Sequence, residues 1–169
     1  MADEVFPLVD EEGRVIGKAT RREVHSNPAL MHPVVHCLVT NRAGEVLLQR
    51  RSASKDIQPG KWDTSVGGHV SYGEATETAL LRELQEEIGA QAERGEMRFL
   101  HRYVWRSAVE TELVHTYAWV SEGPFLRQES EVDELRFWSM AEVEASLGAG
   151  IFTPNFEVEF GKFTESQSR

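Results

Sequence analysis

Apolar runs separated by turn-forming residues predict a chain built mainly of β-strands before and after one central helix. Residues 5–9 and 14–19 flank the cluster DEEG at residues 10–13, which predicts a hairpin. Residues 33–40 form an unbroken apolar run, typical of a strand buried on both faces, and residues 45–51 return beside it. Further strands are predicted at residues 63–67, 96–106, 110–120 and 135–138.

The strongest helical periodicity lies in residues 74–88, where Leu81, Leu84 and Ile88 recur on one side of a helix. Gly89 follows at the position of a C-cap glycine, which ends the helix. Shorter helices are predicted after the caps Thr20 and Ser139 and from Thr153-Pro154 onward, with a frayed tail at residues 164–169. This order favours a mixed α/β sandwich in a single domain spanning residues 1–169.

Composition fits an ordinary folded domain of 169 residues, of which 40% are hydrophobic and 27% are charged. The formal net charge of -10 argues against nucleic acid as a partner. A small phosphorylated substrate remains compatible with that charge, because a metal ion and a few local cations can oppose the overall field. The one cysteine, Cys37, lies in the apolar run VVHCLV, so it is expected to fill the core and excludes an internal disulfide.

The chain begins MADEVF, which is acidic where a secretory signal would be basic and then apolar. No apolar run approaches the roughly 18–20 residues that are needed to cross a membrane. We therefore expect a cytoplasmic protein with no membrane partner, and the sequence leaves its oligomeric state open.

Three acidic side chains, Glu83, Glu86 and Glu87, form one stripe of the predicted central helix, opposite its apolar side. Like charges one turn apart destabilise a helix by roughly 0.2–0.5 kcal/mol per pair, a cost that a bound cation offsets. Oxygen ligands suit Mg²⁺, which completes its shell with waters and substrate phosphates. Gly68 permits close backbone approach, so its carbonyl can face the same ion. Arg82 can pair with Glu86 one turn away, and the alternative is a solvated acidic face.

The stretch GHVSYGEATETALLRELQEEIGA, residues 68–90, resembles the box that defines the Nudix hydrolase superfamily. It matches at nine fixed positions: Gly68, Glu74, Arg82, Glu83, Leu84, Glu86, Glu87, Gly89 and the small apolar Ala90. The resemblance implies an α/β/α sandwich, with a mixed β-sheet and the box helix on one face. It also implies that Glu83, Glu86, Glu87 and the Gly68 carbonyl hold Mg²⁺ or Mn²⁺, and that one of these glutamates is the base for the attacking water.

A second constellation consists of three histidines and two acids spread along the chain: His25, His32, His69, Glu110 and Glu112. The two acids lie two residues apart in a predicted strand and so face the same side. Imidazole and carboxylate together suit Mn²⁺ or Zn²⁺ better than Mg²⁺. From residue types alone, the alternative is that these histidines are hydrogen-bonded structural residues.

Several further features occur at similar positions in one branch of that superfamily. They are the spacing of His25 and His32, the strand end QRR at 49–51, Lys55, PGKW at 59–62 and the pair Gly68-His69. By these features residues 5 to about 118 resemble the isopentenyl-diphosphate isomerase branch. The resemblance implies that the three histidines bind a metal together with Glu110 and Glu112, that Arg51 and Lys55 hold a diphosphate, and that Tyr103 lies in the active site. On chemical grounds Arg51 and Lys55 are also reasonable phosphate partners, the alternative being that they only keep the surface soluble.

One departure separates this chain from the isomerase pattern. The isomerase has a cysteine just before the Gly-His pair, where this chain has Gly67, which has no side chain to donate or accept a proton. The isomerase sequence also usually departs from the box pattern at the positions of Glu83 and Glu86, whereas this chain has both glutamates. The sequence therefore favours a metal-dependent hydrolase of a nucleoside diphosphate or related organic diphosphate, with a box glutamate or Glu112 as base. The alternatives are an isomerase of allylic diphosphates and a module that binds a diphosphate without turning it over.

Overall fold

The computed structural model describes residues 3–167 and arranges them in nine strands and four helices. The strands are β1 Val5–Val9, β2 Val15–Thr20, β3 Met31–Thr40, β4 Val46–Arg51, β5 Trp62–Asp63, β6 Val66–His69, β7 Arg98–Arg106, β8 Thr111–Val120 and β9 Val132–Trp138. The helices are α1 Arg21–Val24, α2 Thr76–Ile88, α3 Met140–Ser146 and α4 Pro154–Gln167.

A mixed sheet of seven strands forms the middle of the molecule, with the order β5-β4-β3-β8-β7. β6 pairs antiparallel with β3, and β9 pairs antiparallel with β4. β3 and β8 run parallel along their whole length, so His32 lies beside Glu112 and His36 beside Thr116. β1 and β2 form the predicted hairpin as a separate two-stranded sheet.

The unbroken apolar run becomes β3, in which every residue from 32 to 39 is buried, as predicted. Its side chains alternate between two cores. Cys37 packs in the cluster that includes Leu84 of α2, whereas Leu38 packs in the cluster that includes Phe156 of α4. The predicted α/β/α sandwich is therefore confirmed, with α2 and α4 on opposite faces of the sheet.

α2 begins two residues later than the sequence predicted, because Glu74 takes part in a turn. The Glu74 N–H donates to the Ser71 carbonyl at 2.9 Å, and the Glu74 carboxylate accepts from the Ser71 N–H at 3.0 Å. At the other end Gly89 adopts a left-handed conformation with φ 63° and donates its N–H to the carbonyl of Gln85, so the predicted C-cap is confirmed.

Two local predictions need correction. The strand expected at residues 63–67 is split, because the side chain of Ser65 donates to the carbonyl of Leu47 and accepts from the N–H of Val39 between the two pieces. The frayed tail is wrong for residues 164–167, which continue α4, and the last two positions lie outside the described residues. Within residues 3–167 no helix is long and apolar enough to cross a membrane.

Candidate active site

One cleft of about 680 Å³ receives side chains from the β1–β2 hairpin, β3, β4, β6, α2, β8 and the start of α4. Ten of the predicted site residues line it: His25, Arg51, Lys55, Gly68, His69, Glu83, Glu86, Glu87, Glu110 and Glu112. The other two, His32 and Tyr103, lie outside this lining. The acidic helix and the histidine group, far apart in the sequence, therefore share one cleft.

The lack of a side chain at Gly68 lets the carboxylate of Glu83 rest against the backbone of β6. A Cβ atom placed on Gly68 would lie 2.1 Å from Cδ of Glu83 and 2.5 Å from its Oε1, far inside contact distance. Burial raises the pKa of Glu83, although the adjacent Arg82 guanidinium acts in the opposite direction. Glycine at position 68 is thus a steric requirement for this arrangement.

Glu87 points inward from α2 and is tied to two strands. Its Oε2 accepts a hydrogen bond from the Gly67 N–H at 3.0 Å and another from Nε2 of Gln49 at 3.3 Å. Burial, with the nearby charge of Glu83, raises the pKa of Glu87 to about 8. A cation bound at this carboxylate would therefore displace a proton near neutral pH.

Arg82 holds the acids of the helix and the preceding loop together. Its Nε and Nη2 donate to the two carboxylate oxygens of Glu74, each at 3.0 Å, and its Nη1 donates to Glu83 at 2.7 Å. Nη2 also donates to the His69 carbonyl at 3.0 Å. The expected pair with Glu86 is present at 3.4 Å, but the Glu86 side chain is 51% exposed. Arg82 therefore fixes the loop to the helix, and Glu86 is the acid with the most freedom to move.

Four of the five residues predicted as a second metal site lie close together in the structure. One ligand atom from each of His25, His32, His69 and Glu110 lies within 4.8 Å of the other three. Nε2 of His25 lies 3.3 Å from Nε2 of His69 and 3.2 Å from Oε2 of Glu110. The fifth member, Glu112, stays outside this group, and its Oε2 lies 3.9 Å from Nε2 of His32.

His32 shows that this group fits a metal ion. It is fully buried, and neither of its ring nitrogens has a hydrogen-bond partner among the described residues. Burial lowers the pKa of His32 to about 4 and also lowers that of His69, so both rings are neutral at pH 7. Burial, with the charge of Glu110, raises the pKa of Glu112 to about 8. Neutral imidazoles have the protonation state in which they bind divalent ions, and His32 has both ring nitrogens without a hydrogen-bond partner among the described residues.

The two predicted diphosphate-binding cations both reach the cleft, but neither is free. Nε of Arg51 donates to the Ile57 carbonyl at 3.0 Å, and its Nη1 lies 3.6 Å from Oδ2 of Asp63. Lys55 forms an ion pair with Glu131. A phosphate that binds here must therefore compete with Asp63 and Glu131 for these cations.

Tyr103 does not line the cleft, but its hydroxyl donates to Asn155, which does. Its hydroxyl lies 3.0 Å from Oδ1 of Asn155 and 3.1 Å from Oε1 of Glu159, both on α4. Trp105, two residues further along the same strand β7, does line the cleft. A direct contact between Tyr103 and substrate stays a prediction.

Comparison with known proteins decides the family. The family model described as the NUDIX domain matches residues 30–156. The chain belongs to the Nudix family. The matched residues include the stretch predicted to be the Nudix box, residues 68–90, and proteins of this family typically use divalent ions.

Nudix relatives of this chain carry two kinds of name. An uncharacterized Nudix hydrolase of Yersinia pestis is 32% identical over 179 residues, covering 95% of this chain and 92% of that protein. An isopentenyl-diphosphate Delta-isomerase of Paenarthrobacter aurescens is also 32% identical, over 173 residues, covering 99% and 94%. The predicted isomerase-like branch of the Nudix superfamily is therefore confirmed, and the chain is a Nudix hydrolase. Because the two identities are equal, overall similarity does not identify the substrate.

A solved structure shares the fold of this chain. A crystal structure of a protein from Deinococcus radiodurans superposes with a TM-score of 0.81, covering 94% of this chain and 98% of that one. The two sequences are only 23% identical, so this likeness shows that the fold is shared.

Four cleft or near-cleft residues were missed by sequence reasoning. Three of them, Arg21, His36 and Asp63, line the cleft. The fourth is the buried Glu159 of α4, which lies 3.1 Å from the ring of His36. Arg21 follows the predicted cap Thr20, so a cation search near the first histidine would have found it. No sequence signal joins His36 to Glu159, because 123 positions separate them and only the packing of α4 on the sheet brings them together.

Proposed function

We propose that this Nudix protein is a metal-dependent hydrolase that cleaves the diphosphate linkage of a nucleoside diphosphate or a related organic diphosphate. The observation that carries the proposal is the approach of Glu83 to the Gly68 backbone, with Glu87 turned inward beside it in the same cleft. The partner is a small molecule, because a net charge of -10 opposes binding of a nucleic acid.

Glu83, Glu86, Glu87 and the Gly68 carbonyl would hold Mg²⁺ or Mn²⁺. The ion supplies neutralising charge at the diphosphate and lowers the pKa of an attacking water. The candidates for the base are a glutamate of this set and Glu112. In the metal-free protein, burial raises the pKa of Glu87 and of Glu112, which makes each carboxylate a stronger proton acceptor than an exposed glutamate.

Arg51 and Lys55 would hold the phosphate that is not attacked. Both line the cleft, and both would exchange a protein carboxylate for a substrate phosphate as the substrate binds. Arg82 would act as a positioning residue, because it fixes Glu83 and Glu74 through charge-assisted hydrogen bonds.

The direct test is a panel of organic diphosphates with Mg²⁺ or Mn²⁺, reading out phosphate and nucleoside monophosphate. We expect turnover of at least one nucleoside diphosphate derivative and none after removal of the metal with a chelator. Binding of several diphosphates without any product would instead favour a module that senses a diphosphate, and would refute the hydrolase.

A second candidate is an isopentenyl-diphosphate isomerase, favoured by the convergence of His25, His32, His69 and Glu110. Against it stands Gly67, which offers no side chain for proton transfer. We expect no conversion of isopentenyl diphosphate. Formation of the allylic isomer by the purified protein would establish this second function.

A further inference from the structure

His36 is held from behind by a buried carboxylate. Its Nδ1 lies 3.1 Å from Oε1 of Glu159, which also accepts from the Thr116 hydroxyl at 2.7 Å. Oε2 of Glu159 lies 2.7 Å from Nε2 of His101. Burial alone would raise the pKa of Glu159, but the hydrogen bonds from His101 and His36 outweigh it and bring the pKa to about 2.

Because a carboxylate only accepts hydrogen bonds, Nδ1 of His36 carries the proton and donates it to Glu159. The tautomer and the orientation of the ring are therefore fixed. The second ring nitrogen, Nε2, has no hydrogen-bond partner among residues 3–167. It remains available to a ligand.

Position 67 decides whether that nitrogen can be reached. Gly67 is the register partner of His36 on β6, and His36 is one of the residues that line the cleft. A Cβ atom on Gly67 would lie 3.3 Å from Cδ2 and 3.5 Å from Nε2 of His36. Any side chain at position 67 would thus cover the edge of the ring.

The cleft beside His36 is polar. Asp63 and Thr153 line it and are joined by a hydrogen bond of 3.0 Å, and Asn155 lines it as well. The Oδ1 of Asn155 accepts from the Tyr103 hydroxyl, and its amide nitrogen makes no hydrogen bond within the described part of the chain. The Asn155 amide nitrogen suits an oxygen-bearing ligand, because a hydrocarbon placed against it would leave this donor unpaired.

We propose that His36 is a substrate-contacting, specificity-determining residue, whose Nε2 hydrogen-bonds a hydroxyl group on the organic part of the diphosphate. A hydroxyl both donates and accepts, so it pairs with Nε2 whether or not that nitrogen is protonated. The inference rests on the proposed function for the location of the diphosphate. Beyond that function, it states that the enzyme selects substrates whose organic group carries a hydroxyl.

The test compares three variants and two probes. His36→Asn keeps an amide donor toward Glu159 but lacks the nitrogen that faces the cleft. Gly67→Ala keeps the ring and covers it, and position 67 has no left-handed φ that alanine would strain. His101→Asn is the matched control, because it disturbs the same carboxylate from a position outside the cleft lining. The probes are ADP-ribose, which carries hydroxyl groups on both sides of its diphosphate, and inorganic pyrophosphate, which carries no organic group.

Affinities are measured by calorimetry with Ca²⁺ in place of Mg²⁺ to slow turnover. We expect His36→Asn and Gly67→Ala to bind ADP-ribose about three- to tenfold more weakly than the wild type, and to bind pyrophosphate unchanged. His101→Asn should bind both probes like the wild type even if its melting temperature falls. In NMR spectra the Nε2 signal of His36 should shift on adding ADP-ribose and stay in place with pyrophosphate.

Wild-type affinity for ADP-ribose in Gly67→Ala and His36→Asn, or an equal loss in His101→Asn, would overturn the contact. So would a wild-type protein that binds pyrophosphate but not ADP-ribose. Failure of the hydrolase proposal would give a different result. Both probes would bind, and the variants would show the expected affinities relative to the wild type, but no nucleoside monophosphate would form with Mg²⁺ or Mn²⁺.

Discussion

Replacing Gly68 by alanine tests the geometry on which the proposed metal site depends. The new Cβ would lie 2.1 Å from Cδ of Glu83, whereas carbon atoms in contact are about 3.5 Å apart. The carboxylate must therefore move by roughly 1.4 Å, and its 2.7 Å hydrogen bond with Arg82 breaks. A misplacement of about 1 Å can cost on the order of 100-fold in rate, so we expect kcat to fall by about that factor.

The fold should survive this change, because Glu83 is the movable end of a long side chain. We expect the melting temperature of Gly68→Ala to fall by no more than about 4 °C, as for the loss of roughly 1 kcal/mol in a domain of this size. The matched control is Gly161→Ala in α4, where no atom lies within 4 Å of the added Cβ, and it should retain full activity. The assay is steady-state hydrolysis of the best diphosphate found, alongside a thermal melt. Activity of Gly68→Ala within about twofold of the wild type would refute the role assigned to the Glu83 position.

Three further predictions follow from the same cleft. Glu86→Gln should lose at least about 100-fold in turnover yet melt within a few degrees of the wild type, because the Glu86 side chain is half exposed and its ion pair with Arg82 is long, at 3.4 Å. A variant that keeps its activity would show that Glu86 is not part of the metal site. Burial raises the folded-state pKa of Glu87 to about 8, so the metal-free protein should lose stability as the pH rises from about 5 to 9, and calorimetry should show a flatter profile for Glu87→Gln. Purified protein should carry Mn²⁺ or Zn²⁺ that His32→Ala lacks, as measured by elemental analysis, and equal metal content in both would place the ion elsewhere.

The sequence by itself determined the features whose cause is local. The apolar spacing of Leu84 and Ile88 places one side of α2 in the core, and Gly89 ends the helix because it adopts a left-handed conformation readily. The run of apolar residues at 33–40 marks the buried strand β3 for the same kind of reason, since no polar face interrupts it. The Nudix box is a short-range pattern of this type.

Only the tertiary structure determines how the three glutamates on one side of α2 differ in their contacts and in their exposure to solvent. Spacing places Glu83, Glu86 and Glu87 together, but Gly67 and Gln49 draw Glu87 inward while Glu86 stays half exposed. Helical periodicity gives the side of the helix on which a residue lies, whereas the contact that each carboxylate makes depends on the strand packed beside it.

The pairing register of the strands and the docking of α4 determine which of the remaining site residues lie next to each other. The histidine group forms because β3 lies parallel to β8 and antiparallel to β6, which brings His32 beside Glu112 and Val34 beside His69. The pair of His36 and Glu159 forms because α4 packs across that sheet and brings together two residues that are 123 positions apart. Register and helix docking are set by the burial of whole faces, so spacing along the chain does not reveal them, and the cleft-facing nitrogen of His36 was visible only in the folded protein.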